Sequence, residues 1–249
     1  RSPLRHSRRP PRIHHPSLTT MGYTSFEDFR TVTSWVRPAR GHGCKPVEIL
    51  PGLWTAHYHD IDSKEKLKAA TKGAPITLVV NSALCQCEAR TGFWGPDVQV
   101  MEIPLEDDPD ERKAFDQGKP TTSACRDPDV PLEKRCSGDA KQYFDAVNAA
   151  VAAALARGDH VLVHCHASLS RSAAFILAYL MQKKGMTLLE AARCMKANWD
   201  ATWPNDRFVF QLMEYERDLA ARSPAVAGAA VFAAGLALGA ALATLRLRK

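Results

Sequence analysis

An α/β fold, with helices layered on a sheet, is what this 249-residue sequence predicts. Short apolar runs rich in β-branched residues alternate with longer stretches of helical periodicity, the pattern of helices that cover a sheet. One run, "VLVHC", passes within a few residues into "AAFILAYLM", so a buried strand feeds a buried helix. The chain shows no internal repeat, and its composition, 45% hydrophobic and 24% charged, is ordinary for a globular protein.

The elements follow in chain order. "VEILPGLWTAH" (residues 47–57) reads as two strands around a Pro-Gly turn. "TLVVN" (residues 77–81) is a central strand, and "VQVMEIPL" (residues 98–105) is a further one. Residues 140–157 place Phe144, Val147, Val151, Ala154 and Leu155 at helical spacing, with Asp139 as the expected N-cap. "DHVLVHC" (residues 159–165) is a strand. Residues 171–184 are apolar almost all round and stop at Gly185, as a helix in the middle of a domain would. "TLLE" (residues 187–190) is a capping box that opens the next helix, and Asn205, after Pro204, opens another.

The sequence pI near 9.0 comes from the two ends. Residues 1–20 hold five arginines and no acid, and the last four residues hold Arg246, Arg248 and Lys249. Those eight basic charges exceed the net of +6, so the remainder carries two more acids than bases. That balance argues against a broad basic surface for nucleic acid. Seven cysteines without a regular framework, and no apolar leader, suit a reducing compartment.

Residues 1–20 are expected to be a disordered basic tail, and 21–46 an N-terminal extension to a catalytic domain over 47–222. Residues 225–245 form an uncharged run of 21 residues, ten of them alanine. At 1.5 Å per residue it covers about 30 Å, the thickness of a bilayer core. It contains "GLALG", which permits close helix contact in lipid, and ends on the basic "RLRK". A C-terminal transmembrane tail anchor is therefore expected. It would leave the catalytic domain cytosolic on an organelle membrane, the alternative being a soluble cytoplasmic protein.

Chemistry concentrates in "HCHASLSRS" (residues 164–172). A helix N-terminus offers unpaired N–H groups and a positive dipole end, and a tight loop before it can aim more N–H groups at one centre. An oxyanion such as phosphate fits there, with Arg171 adding a bidentate fork. The same field favours thiolate over thiol in a cysteine that opens the loop, so Cys165 would face a bound phosphorus as a nucleophile. A metal reading of "HCH" is disfavoured: adjacent strand residues point to opposite faces, and no partner Cys-x2-Cys exists.

This stretch resembles the Cys-x5-Arg-Ser signature of the cysteine-dependent protein phosphatases, in surroundings similar to the dual-specificity branch. "ILPGLWTA" is similar to that family's first strands, "IPLEDD" to the strand and loop that present its general acid, "AAFILAYLM" to the helix after the signature, and "WPNDRFVFQLMEYERDL" to its closing helix. The resemblance covers roughly residues 47–219 and implies a central mixed, mostly parallel sheet flanked by helices. It implies Cys165 as nucleophile, through a phosphocysteine intermediate. The phosphoryl oxygens would be held by Arg171 and by the loop N–H groups of His166, Ala167, Ser168, Leu169, Ser170 and Arg171. Ser172 would assist the sulfur as it leaves, and His164 would support the loop from below. No cofactor and no metal are implied.

The leaving oxygen needs a proton and the attacking water a base. The resemblance puts that acid at Asp107, with Asp108 as the alternative, and both ahead of Asp127 and Asp129. Asp107 lies 58 residues before Cys165, a longer gap than the family usually has. The excess, 111–138, reads as an insertion, a lid or a docking element. Cys85 and Cys87, in "NSALCQCEAR", stand about where related phosphatases carry a cysteine that forms a reversible disulfide with the nucleophile. Ser168 departs from the family, which normally has glycine three residues after the cysteine. Serine adopts the backbone angles expected there at a cost of about 1–3 kcal/mol.

The expected function is a protein phosphatase acting on phosphotyrosine and phosphoserine/threonine in phosphoproteins. A membrane-tethered pseudophosphatase that binds phosphoproteins is the alternative that Ser168 leaves open. A lipid or RNA 5′-end phosphatase on the same fold is the second, disfavoured because the loop carries neither lysines nor Asn-Arg-Thr.

Overall fold

The computed structural model describes residues 45–61, 64–83, 94–105, 107 and 138–222. Five strands form one sheet: β1 (Val47–Leu50), β2 (Leu53–Thr55), β3 (Ile76–Asn81), β4 (Gln99–Glu102) and β5 (His160–His164). Their order is β1-β2-β5-β3-β4. β1 runs antiparallel to β2, and every other pair is parallel. The helices are α1 (Lys64–Ala70), α2 (Lys141–Ala156), α3 (Arg171–Lys184), α4 (Leu188–Asn198) and α5 (Asp206–Ala221). This is the mixed, mostly parallel sheet with flanking helices that the sequence predicts; α1 was not anticipated.

Strand alternation builds two cores. Leu53, Leu78, Val80, Val161 and Val163 face the larger one, with residues of α2, α3, α4 and α5. Trp54, Val79 and Leu162 face the smaller one, with Ile61, Leu67 of α1 and Trp94. A register shift against β5 between Ile76 and Leu78 lets Ile76 share the face of Val79. The antiparallel β1–β2 corner turns at Gly52, whose φ is +82°. A Cβ there would lie 2.9 Å from Leu155 Cδ2 and 3.1 Å from the Asp159 carbonyl, so both angle and space call for glycine.

α3 is buried along Arg171 to Met181, as its apolar sequence requires. It stops where Gly185 takes the left-handed conformation at φ 66°. α4 starts in the expected capping box of Thr187 and Glu190, and α5 starts at Asn205, whose side chain accepts from Phe208 N. Phe144 meets Phe175 edge-on at 5.7 Å and Tyr215 at 5.1 Å, which joins α2 to α3 and α5.

Two sequence expectations change. Asp139 does not cap α2: Ala140 stands at the N-cap, with no side-chain bond of its own. The buried Gln211 of α5 takes over that role, its Oε1 accepting from Ala140 N at 2.8 Å and Lys141 N at 3.3 Å while its Nε2 donates to Gly138 O at 2.9 Å. A buried amide reaching in from a neighbouring helix satisfies the orphan N–H groups better than an exposed carboxylate at the wrong offset. The strand expected over 98–105 keeps its ladder only for Gln99–Glu102. Ile103 N still reaches Asn81 O at 2.9 Å, and Pro104 has no N–H to continue.

Among the described residues no helix is long and apolar enough to cross a membrane. The expected tail anchor at 225–245 lies outside those residues. So do 1–44, all of the expected insertion 111–138 except Gly138, and Asp108, Asp127, Asp129, Cys85 and Cys87.

Candidate active site

β5 delivers Cys165 to the end of the sheet between two parallel neighbours, and α3 begins six residues later. The intervening loop is held from several sides. The Ser82 amide and hydroxyl both donate to His164 O at 2.9 Å, and Tyr58 N donates to His166 O at 2.9 Å. Trp199 Nε1 donates to Ser168 O at 3.0 Å, and Trp203 N to Leu169 O at 2.8 Å. With its carbonyls tied outward, such a loop can turn amides inward, as an anion site needs.

Cys165 is only 2% exposed, and its Sγ accepts from Ser168 N at 3.2 Å and from Ser172 Oγ at 3.5 Å. Arg171, 5% exposed, donates from Nη1 to Leu105 O at 3.2 Å, and its Nε lies 4.0 Å from Asp107 Oδ2. Ser170 stands at the N-cap of α3, yet its side chain does not cap the helix. It donates to Asp107 Oδ1 at 2.6 Å instead, so no side-chain cap occupies the first turn of α3.

The structure thus brings Cys165, Ser168 and Ser172 together at the sulfur, and Ser170, Arg171 and Asp107 at the loop's far end. The half-buried His166 ring packs beside Tyr58 at 4.8 Å and His57 at 5.8 Å. Ala167 and Leu169 are half-buried in the loop. The arrangement can bind a tetrahedral anion, present a thiol to its centre and hold a carboxyl nearby. Among the described residues no group of three or more His, Cys, Asp or Glu side chains is placed to hold a metal ion.

Ser168 shows how the loop accommodates a side chain where the resemblance leads one to expect glycine. Its φ is +52°, in the left-handed region, and it is fully buried. Its hydroxyl donates to Ala56 O, at the end of β2. The strained backbone is offset by a bond that fastens the loop to the sheet. Ser168→Ala keeps the strain and loses the bond, so it should cost about 1–3 kcal/mol in urea unfolding. Ser168→Gly should cost less, because it also relieves the backbone.

His164 is fully buried below the loop, its Nδ1 3.3 Å from Cys165 O. Burial, with the Arg171 charge adding to it, holds its pKa down at about 4 against an ordinary 6.5. The folded chain therefore resists a proton that the unfolded chain accepts between those values. Stability from this group is complete above pH ~6.5 and is lost as pH falls through ~4, by about 3 kcal/mol in all. Urea midpoints measured from pH 7 to 4 should fall accordingly, and His164→Gln should flatten that slope.

The sequence reading missed the residues that hold the loop from outside: Ala56 and Leu105 through their carbonyls, Tyr58 and Trp203 through their amides, Trp199 through its indole. It read Asn205 only as a helix start. Backbone partners leave no side-chain signal, and nothing local to Trp199 marks its indole as a partner of the Ser168 carbonyl 31 residues before it.

A family model described as dual specificity phosphatase, catalytic domain, matches residues 61–218. Human dual specificity phosphatase 28 is 30% identical over 177 residues, which cover 71% of this chain and 81% of that protein. Dual specificity protein phosphatase 1B of Arabidopsis thaliana is 34% identical over 90 residues, 36% of this chain and 54% of the relative, so the match spans about half the length of that curated protein. Among solved structures, a mouse putative dual specificity phosphatase complexed with zinc tungstate superposes with a TM-score of 0.54 at 26% identity, covering 75% of this chain and 96% of that one.

Proposed function

The chain belongs to the dual specificity phosphatase family, and on that premise we propose that it hydrolyses phosphotyrosine and phosphoserine/threonine in proteins through a phosphocysteine intermediate. The observation that carries this reading is the convergence of Cys165 Sγ, the Ser168 N–H, Ser172 Oγ, Arg171 and Asp107 on one loop. The tungstate in the mouse relative's structure is a tetrahedral oxyanion, the kind of ligand the loop is read to hold.

In the first step the loop N–H groups and the Arg171 guanidinium hold the three non-bridging oxygens. The Cys165 thiolate attacks phosphorus in line with the ester oxygen. The S–P bond forms as the P–O bond breaks, and the Asp107 proton passes to the departing oxygen. In the second step water attacks phosphorus, Asp107 takes the water's proton, and the S–P bond breaks. Ser172 Oγ donates to the sulfur as negative charge returns to it, and inorganic phosphate leaves.

The test is hydrolysis of phosphotyrosyl and phosphoseryl peptides by the full chain, with an acid quench to trap phosphate on Cys165. Tight phosphopeptide binding without turnover or trapped phosphate would instead establish the binding-module reading. We propose further that residues 225–245 tether this domain to a membrane, on the strength of their uncharged 21-residue length. Carbonate-resistant membrane association that survives loss of residues 224–249 would overturn that.

A further inference from the structure

Asn205 faces two ways. Its Oδ1 accepts from Phe208 N at 2.9 Å and so caps α5. Its Nδ2 donates to Asp107 Oδ1 at 2.6 Å and to Asp107 O at 2.8 Å. Its own backbone N–H donates to Ser170 Oγ at 3.1 Å, and that hydroxyl donates to the same Asp107 Oδ1 at 2.6 Å. Three residues from three distant parts of the chain close a ring around one carboxylate oxygen.

We propose that Asn205 is a positioning residue for the reaction, holding Asp107 by Oδ1 so that Oδ2 is the oxygen that carries and delivers the proton. This rests on the reading of Asp107 as the proton donor. Both lone-pair directions of Oδ1 are taken by donors, and an amide NH2 cannot accept a hydrogen. The transferable proton therefore sits on Oδ2, the oxygen nearer Arg171. Proton transfer depends steeply on placement, and a displacement of about 1 Å can cost up to 100-fold in rate.

Helix capping alone does not account for the residue type. A cap needs only an acceptor, which Ser, Thr, Asp and Asn all supply. The tether needs an N–H donor in the same side chain. Asp has no donor, and Ser or Thr has a single hydrogen on a shorter arm. Asn205→Asp thus separates the two roles: it keeps the cap, with a charge suited to a helix N-terminus, and sets a carboxylate against Asp107.

The experiment measures kcat and KM for the full chain on phenyl phosphate, whose leaving oxygen needs a proton, and on 2,4-dinitrophenyl phosphate, whose leaving oxygen does not. Asn205→Asp should lower kcat on phenyl phosphate about tenfold or more and on the activated ester less than about twofold. KM should stay near the parent value, while the urea midpoint should fall, since two carboxylates then face each other, and should recover in the Asp107→Asn background. In an Asp107→Asn background the same substitution should add nothing. Should Asn205→Asp fail to fold, Asn205→Ser, which keeps a capping oxygen, should show the same split between substrates. Equal losses on both esters, or an undiminished loss without Asp107, would overturn the tether. If Asp107→Asn shows the split and both Asn205 variants retain parent rates, the tether fails alone. If Asp107→Asn shows no split, the acid assignment fails and the tether with it.

Discussion

Cys165→Ser should abolish turnover of aryl phosphates and phosphopeptides by the full chain, lowering kcat by a factor on the order of 10^4 or more. The substitution swaps sulfur for a smaller oxygen at a buried position, 2% exposed, so the fold should stand. What changes is the nucleophile. A thiolate attacks phosphorus and leaves again as a stable anion, whereas a serine hydroxyl must lose its proton first and needs an adjacent base to take it. The atoms known to surround Sγ are the Ser168 N–H and Ser172 Oγ, which are donors to it. The proposed anion site of loop N–H groups and Arg171 is untouched, so phosphopeptide affinity should persist. Steady-state assays beside a binding titration check both halves. Activity of the variant within tenfold of the parent would sink the mechanism.

Asp107→Asn should lower kcat by about 10^2- to 10^3-fold on esters with poor leaving groups, the usual worth of a positioned general acid. The replacement has nearly the same shape. Its amide oxygen can still accept from Ser170 and Asn205, but it carries no acidic proton and no charge. The ion pair with Arg171 is long, 4.0 Å, and Asp107's side chain is 22% exposed, so the loss of stability should stay under about 1 kcal/mol. The diagnostic is dependence on the leaving group: the defect should shrink toward nothing on activated aryl esters. A defect of equal size on every ester would move the proton donor elsewhere, with Asp108 the next residue to test.

Most of the architecture can be read from the sequence because its signals are local. The strand runs, the buried helix after the loop, the capping box at Thr187 and the cap at Asn205 each follow from side chains within a few positions. Where the sequence reading fails, the winning partner is remote. Asp139 looks like a cap for α2 until Gln211, 71 residues beyond the Ala140 amide it accepts, is folded against it. The ladder of the expected strand over 98–105 ends early because of Pro104, which the sequence displays, and its last bond goes to Asn81, which it does not.

Ser168 marks the boundary most clearly. As a letter in "HCHASLSRS" it is a departure that leaves a weakly active or inactive loop open beside the active one. In the folded chain its positive φ is matched by a bond from its hydroxyl to Ala56, 112 residues away, and its carbonyl is held by Trp199.

The sequence by itself determined the loop proposed to carry the nucleophile. Cys165, Arg171 and Ser172 lie within eight consecutive residues between a strand and a helix, and chain connectivity alone sets them around one point. Only the tertiary structure decided what holds that loop and what faces it. Asp107, Ala56, Trp199 and Asn205 reach it through a sheet edge, the end of β2 and two helix termini. Their separations from the loop are large enough that packing of the two cores, rather than spacing along the chain, places them.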